Sequence, residues 1–276
     1  MFRPEVKRRP SRMRSGIELI EIIYHTTVWQ LRGTHSSAVK GLVMNVIQAA
    51  LVLTIFVVMF DMLGMRRVKI SGGDFVLYVM SGVFMFLTHV KALGAVSGAS
   101  SPTSAMMMHA PMNPLVAVVS AAFAALYSQT FAAGVILFLY HAVLAPVYIP
   151  DPVGMVGMFI LSWGSGAAIG LIFYAAKPWN PDLVGILTTV YQRANMIASG
   201  KMLVANSTPA WLRGWFDWNP LFHTIDQARG DMFVNYLPRH TSVEYPVIVT
   251  LVCLMLGLMG QFFTRKYASA SWGKRR

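Results

Sequence analysis

His223 and Asp226 stand three residues apart in the stretch WLRGWFDWNPLFHTIDQAR, which runs from Trp211 to Arg229. On a helix that spacing puts both side chains on one face, where an imidazole and a carboxylate can pair and do acid–base work. A second set of chemistry-bearing residues lies upstream in an apolar stretch. There Thr188, Gln192, Asn195 and Ser199 recur at spacings of three and four, Tyr191 flanks them, and Arg193 lies among them. An arginine at the centre of a bilayer costs roughly 3 kcal/mol or more, so Arg193 must face the bundle interior, a partner or water. Asn45 and Gln48, three apart, form a smaller polar patch in another apolar stretch. Polar stripes on two apolar helices can line a path for a hydrophilic cargo. The same pattern also serves hydrogen bonding between helices.

Several chemistries are excluded. The sequence has no G-x-x-x-x-G-K-[ST] phosphate loop, no H-E-x-x-H and no G-x-S-x-G. The chain therefore does not hydrolyse ATP alone, and no residue takes a catalytic role beyond the weak His223–Asp226 pair. The seven histidines show no ligand spacing, and Cys253 is the single cysteine, so neither a disulfide within the chain nor a cysteine metal site is expected.

The elements that carry these residues follow from composition. Of 276 residues, 55% are hydrophobic and only 12% charged, against about 25% charged in an ordinary soluble domain. Between Ala92 and Pro150 there is no Asp, Glu, Lys or Arg. The chain reads as an all-α integral membrane protein. Stretches near the 20 or so apolar residues that a crossing needs occur at Gly41–Phe60, Phe75–Val90 extending to Val96, Leu115–Leu144, Pro152–Ala176, Leu183–Val204 and Tyr245–Thr264. The fifth is the weakest, because it holds Arg193 and Lys201.

Six crossings put both ends on one side. The net charge of +12 is concentrated in the first forty and last twelve residues, with fourteen basic residues on the side of the termini against six on the other. That asymmetry makes both termini cytoplasmic and argues against a nucleic-acid partner. The basic start does not read as a cleavable signal peptide, since the first long apolar run begins only near Gly41. The whole chain reads as one unit: residues 1–40 a cytoplasmic tail and surface helix, 41–264 the bundle, 265–276 a basic cytoplasmic tail.

Three segments fall outside the spans. Ile17, Ile20, Tyr24, Val28 and Leu31 recur at helical spacing, with Glu18, Glu21, His25 and Arg32 off the stripe. This is an amphipathic helix for the membrane surface or for a soluble partner. Ser101-Pro102 reads as an N-cap with proline at the first helical position. The helix that follows carries Met106, Met107, Met108 and His109 and must stop before Pro111. Adjacent methionines make an adaptable contact surface, or a buried turn. Trp211, Trp215 and Trp218 precede Asn219-Pro220, which breaks the third segment. That segment is an interfacial anchor or a helical hairpin that dips into the membrane from outside. Gly166 and Gly170 form a small-xxx-small pattern suited to helix packing.

Together these residues resemble the permease subunit of ABC-2-type exporters, in the branch that exports capsular polysaccharide and O-antigen. The resemblance rests on the amphipathic N-terminal helix, six spans with both ends inside, the short helix after span two, and the stretches YQRANMIASGKM, TPAWL and WNPLFHTIDQAR. The last, Trp218 to Arg229, is the most specific, and the likeness covers most of the chain from about Gly16. It implies two copies of the permease and a separate ATPase subunit that holds ATP and magnesium, with no cofactor on this chain. It further implies a glycan cargo and periplasmic and outer-membrane export proteins as further partners. Ser101, Pro102, Met106, Met107, Met108 and His109 would form the helix that docks on the ATPase. Trp211, Trp215, Trp218, Asn219, Pro220, His223 and Arg229 would form the re-entrant outer hairpin. Spans one and five would line the conduit, with Asn45, Gln48, Thr188, Tyr191, Gln192, Arg193, Asn195 and Ser199 near the sugar path. The alternatives are the same architecture carrying a drug, lipid or other small amphiphile, and a membrane-embedded transferase centred on His223 and Asp226.

Overall fold

The computed structural model describes residues 12–33, 37–62, 64, 70, 73–99 and 114–273. Among these the chain forms nine α-helices and one short 3-10 turn, with no strand. The helices are α1 (Arg12–Gly33), α2 (Ala38–Met62), α3 (Phe75–Ser97), α4 (Pro114–Val143), α5 (Pro152–Ala176), α6 (Pro181–Ala198), α7 (Ala210–Arg213), α8 (Pro220–Met232) and α9 (Glu244–Gly273). The segment Ser101–His109, with its expected short helix, lies outside the described residues.

Helix starts are written in the sequence by an acidic or amide residue followed by proline. Asp151 accepts from Gly154 N at 2.9 Å ahead of Pro152, and Asn180 accepts from Leu183 N at 3.1 Å ahead of Pro181. Asn219 accepts from Leu221 N at 3.0 Å ahead of Pro220. In each case the side chain satisfies an orphan N–H, and proline sits where no N–H is needed. Asn219-Pro220 therefore starts a helix, α8, rather than interrupting one. Asp74 caps α3 without a proline, accepting from Val76 N and Leu77 N at 2.7 and 3.1 Å.

Five helices are long and apolar enough to cross a membrane: Val39–Met62, Phe75–Ser97, Pro114–Val143, Pro152–Ala176 and Glu244–Tyr267. The protein is a multi-pass membrane protein, and these five agree with five of the six expected crossings to within a few residues. The remaining one differs. The helix α6 stops at Ala198, and the chain turns at Gly200, whose φ of +63° is the left-handed conformation that glycine tolerates. Residues 199–204 are not helical. At the other end of the chain, α9 continues past Thr264 to Gly273, so most of the basic tail prolongs a helix.

The centre of the bundle is α3, most of which is buried. On α3 pack α5, α4 and α8, and α9 lies along the far side of α5. The approach of α5 to α3 is set by glycine. A Cβ on Gly166 would stand 2.2 Å from His89 O, and one on Gly170 would stand 2.8 Å from Leu93 O. Both positions are close backbone contacts that only hydrogen can fill. By contrast α2, α6 and α9 leave wide apolar faces uncovered, including Leu51, Ile55, Ile186, Val190 and Leu251.

The first helix, α1, packs on the start of α4. Gln30 Nε2 donates to Ala117 O at 3.2 Å, and Ser120 Oγ donates to Ile23 O at 3.2 Å. The docked face is not the apolar stripe. Ile17, Ile20 and Tyr24 are all exposed, and these are the side chains a helix lying in a membrane surface would bury in lipid.

Gly166→Ala should lower the melting temperature of the detergent-purified protein, at a cost of about 1–3 kcal/mol for overpacking. Gly157→Ala, where a Cβ meets nothing within 4 Å, should leave it unchanged or slightly raise it. Equal behaviour of the two variants would contradict the close α3–α5 approach.

Candidate functional site

A cavity of about 1120 Å³ opens at the end of the bundle where α1 lies. Five helices line it: α1 with Trp29 and Gln30, α2 with Asn45 and Gln48, α3 with Lys91 and Gly94, α4 with Ser128 and Gln129, and α6 with Gln192. Small residues make the room: Gly94, Gly98, Ala121 and Ala124 all face it.

The polar groups around it are held in place by one another. Asn45 Nδ2 donates to Ser128 O at 2.8 Å, and Gln129 Nε2 donates to Asn45 Oδ1 at 3.1 Å, so α2 and α4 are tied by amides. Lys91 Nζ donates to Gln48 Oε1 at 2.7 Å, tying α3 to α2. Gln192 reaches in from α6 over Gly94, where an added Cβ would sit 3.1 Å from its Nε2. The polar patch of the first span and one member of the stripe on α6 thus meet in one space.

The rest of that stripe goes elsewhere. Thr188 Oγ1 donates to Val184 O of its own helix at 2.7 Å. Tyr191 points to α3, its hydroxyl 3.2 Å from His89 Nε2. Ser165 Oγ donates to Ser162 O at 3.0 Å, which leaves its oxygen to accept from His89 Nδ1, also at 3.0 Å. His89 Nε2 is then the acceptor of the Tyr191 proton, and one neutral imidazole joins α3, α5 and α6. Asn195 is buried, and its Oδ1 accepts from Asn219 Nδ2 at 2.7 Å. Ser199 is buried, and its hydroxyl has no hydrogen-bond partner among the described residues. Arg193 is exposed.

The segment Trp211–Arg229 divides into two parts. Trp211, Trp215 and Trp218 are exposed, whereas α8 is enclosed by α3, α5 and α9. Asn219 ties the start of α8 to the end of α6, donating to Ala198 O at 2.8 Å as well as to Asn195. Thr224 accepts from Ser162 Oγ at 3.0 Å, at the middle of α5. At the other end of α8, Asp231 O accepts from Asp151 N, just before α5 begins. The helix α8 therefore runs from mid-bundle depth to the end of the bundle.

Arg229 is 1% exposed. Its Nη1 and Nη2 each donate at 2.5 Å, to Leu203 O and Lys201 O, and its Nε donates to Ser81 Oγ at 3.4 Å. The guanidinium carbon lies 4.1 Å from the centre of the Tyr78 ring. Beside it Lys201 Nζ rests on the Phe86 and Phe56 rings, 3.3 and 4.6 Å from their centres, with no hydrogen bond among the described residues.

His223 and Asp226 do not pair. His223 Nδ1 accepts from Ser242 N at 3.2 Å, so its Nε2 donates to Asp217 O at 2.9 Å. Asp226 accepts from the Tyr236 hydroxyl and, at 2.8 Å, from Thr241 Oγ1. Burial, and then the Asp226 charge, push the Tyr236 phenol well above its usual range, so it remains the donor. Both residues hold the loop between α8 and α9 in place, and the acid–base pair expected from their spacing does not form.

The coupling residues Ser101, Pro102, Met106, Met107, Met108 and His109 lie outside the described residues. Among the described residues no group of three or more His, Cys, Asp or Glu could hold a metal. Sequence reasoning passed over Lys91, His89 and Gln129. They come from two short polar clusters inside apolar runs, Thr88-His89 with Lys91 and Ser128-Gln129-Thr130, and that clustering is the signal that could have found them.

No protein-family model matches the chain. Two curated proteins of Escherichia coli do, both named polysialic acid transport protein KpsM. They are 23% and 22% identical over 189 residues, covering 67% of this chain and 71% of each relative. The resemblance drawn from the residues, to permeases of the ABC-2-type polysaccharide-export branch, agrees with these two relatives. At the level of class, the chain is similar to membrane proteins of polysaccharide transport.

Arg229→Met should destabilise the purified protein by about 2–4 kcal/mol, because two buried carbonyls lose their donors. Arg229→Lys should recover only part of this, since an ammonium cannot fork to both. Thermal unfolding in detergent measures both; a wild-type melting temperature for Arg229→Met would contradict the assignment.

Proposed function

We propose that this chain is the membrane-spanning subunit of an ATP-driven exporter that carries a polysaccharide (capsular polysaccharide, O-antigen or a similar glycan) across the inner membrane. The observation that carries the reading is the amide-lined cavity. Asn45 and Gln48 on α2 and Gln192 on α6 open on one space, where a hydroxyl-rich cargo finds donors and acceptors inside an otherwise apolar bundle. Trp29 adds a ring face for sugar C–H surfaces. The similarity to polysialic acid transport proteins supports the cargo class.

The remaining parts follow from that reading. ATP hydrolysis belongs to a separate ATPase, which binds ATP and magnesium, because this sequence lacks a phosphate loop. Ser101 to His109 docks on that subunit. A second copy of the chain packs on the uncovered faces of α2 and α6, and the exposed Arg193 faces the conduit between copies. The sixth crossing is α6 together with the unwound residues up to Val204. An 18-residue helix is about 27 Å long, and the non-helical continuation supplies the remaining length. Both termini are then cytoplasmic, in keeping with the basic residues at each end. Periplasmic and outer-membrane export proteins extend the route.

Two measurements test this. The purified chain should show negligible ATPase activity and gain it only with its partner subunit. A strain lacking the chain should lose surface glycan and accumulate it inside. Complementation with Gln48→Leu plus Gln192→Leu should restore less than about a tenth of surface glycan, as expected when two polar contacts to cargo are lost. An unchanged cell surface in the deletion strain would sink the reading.

A further inference from the structure

We propose that Lys91, with Gln48 beside it, is an oxyanion subsite, and that the cavity selects an acidic sugar unit by its carboxylate. This rests on the reading of the chain as a glycan exporter and names the charge class of its cargo.

Lys91 is the one charged side chain among the described residues that line the cavity, and no carboxylate lines it from any of the five helices. An ammonium set in an apolar span is ordinarily paired with an anion. Here its partner among the described residues is neutral, the Gln48 amide oxygen at 2.7 Å. That bond uses one of three ammonium donors and orients the others. The anion that would complete the pair is not supplied by the lining.

The surroundings suit a sugar more than a bare ion. Asn45, Gln129 and Ser128 are fixed to one another by hydrogen bonds, so they present a wall that does not need to reorganise. Gln192 lies across from them over Gly94. Trp29, largely exposed, stands at the rim. A carboxylate at Lys91, hydroxyls on the amides and a ring face on Trp29 use each group for what it binds best.

The test uses the full chain in phosphatidylcholine nanodiscs, with a fluorescent sialic acid tetramer and its carboxyl-reduced, neutral counterpart as probes. Wild type should bind the acidic tetramer about tenfold or more tightly than the neutral one. Lys91→Gln should bind both alike, and Lys91→Arg should keep most of the preference, which separates charge selection from misfolding. Equal binding of the two probes by wild type, or a preference that survives Lys91→Gln, would overturn the subsite and leave the glycan reading standing. Failure to bind either probe would count against the glycan reading and the subsite together. If adding phosphatidylglycerol displaces the acidic probe from wild type, the site takes a lipid phosphate, and the acidic-sugar assignment is wrong.

Discussion

The structure depends on how the backbone after α6 is satisfied. Residues 199–204 are not helical, yet Lys201 and Leu203 lie beside Tyr78, Ser81 and Gly82 of α3, within a span. Backbone carbonyls at that depth have no water to accept from, so irregular chain is tolerated only where protein supplies donors. Arg229 supplies them, forking to the two carbonyls. A planar guanidinium is suited to this because its donors diverge at a fixed angle. Its charge is eased by the Tyr78 ring face. Without α8 the chain after α6 would have to stay helical or find other donors, and without Arg229 the enclosure of α8 would leave carbonyls orphaned.

This explains why a helix of such mixed composition as α8 is buried. Several of its polar residues, and its cap, meet a partner on the bundle or in the loop that follows: Thr224 meets Ser162, Asp226 meets Tyr236 and Thr241, and Asn219 meets Asn195. Gly200 completes the arrangement. A Cβ there would stand 2.2 Å from the Phe222 ring, and its φ is positive. The stretches NMIASGKM and WNPLFHTIDQAR are therefore two halves of one joint, distant in sequence and in contact through Asn195–Asn219 and Lys201–Arg229.

Much of the fold was legible in the sequence. The five spans follow from apolar run length alone, since nothing else in a chain this poor in charge competes with that signal. The Asx–Pro pairs at Asp151, Asn180 and Asn219 also mark helix starts, a signal that the expectation of a break at Asn219-Pro220 did not use. What was not legible depends on contacts far apart in sequence. Arg229 reads as an outer-loop cation by charge counting, because counting cannot see the two carbonyls that draw it inward. The stripe on α6 reads as one face. In the structure Gln192 turns to the cavity, while Tyr191 and Asn195 bind α3 and α8, because the neighbours of successive turns differ. His223 and Asp226 have the right spacing to pair, but His223 is held by Ser242 N and Asp217 O, and Asp226 by Tyr236 and Thr241.

Small residues decide which polar groups become joints and which line open space. On one face of α3, His89 and Leu93 press their carbonyls against Gly166 and Gly170 of α5, so the room that glycine leaves is filled by backbone. On another face, Gly94 faces only the side chain of Gln192, and Gly94 and Gly98 both line the wide gap toward α2 and α4. The same residue type on the same helix thus closes the bundle on one side and opens it on the other. The polar groups follow this division. His89, on the closed side, has both ring nitrogens used up by helix neighbours. Lys91, two residues on and turned to the open side, keeps donors to spare toward the cavity, because small residues leave that side without a side chain to occupy them.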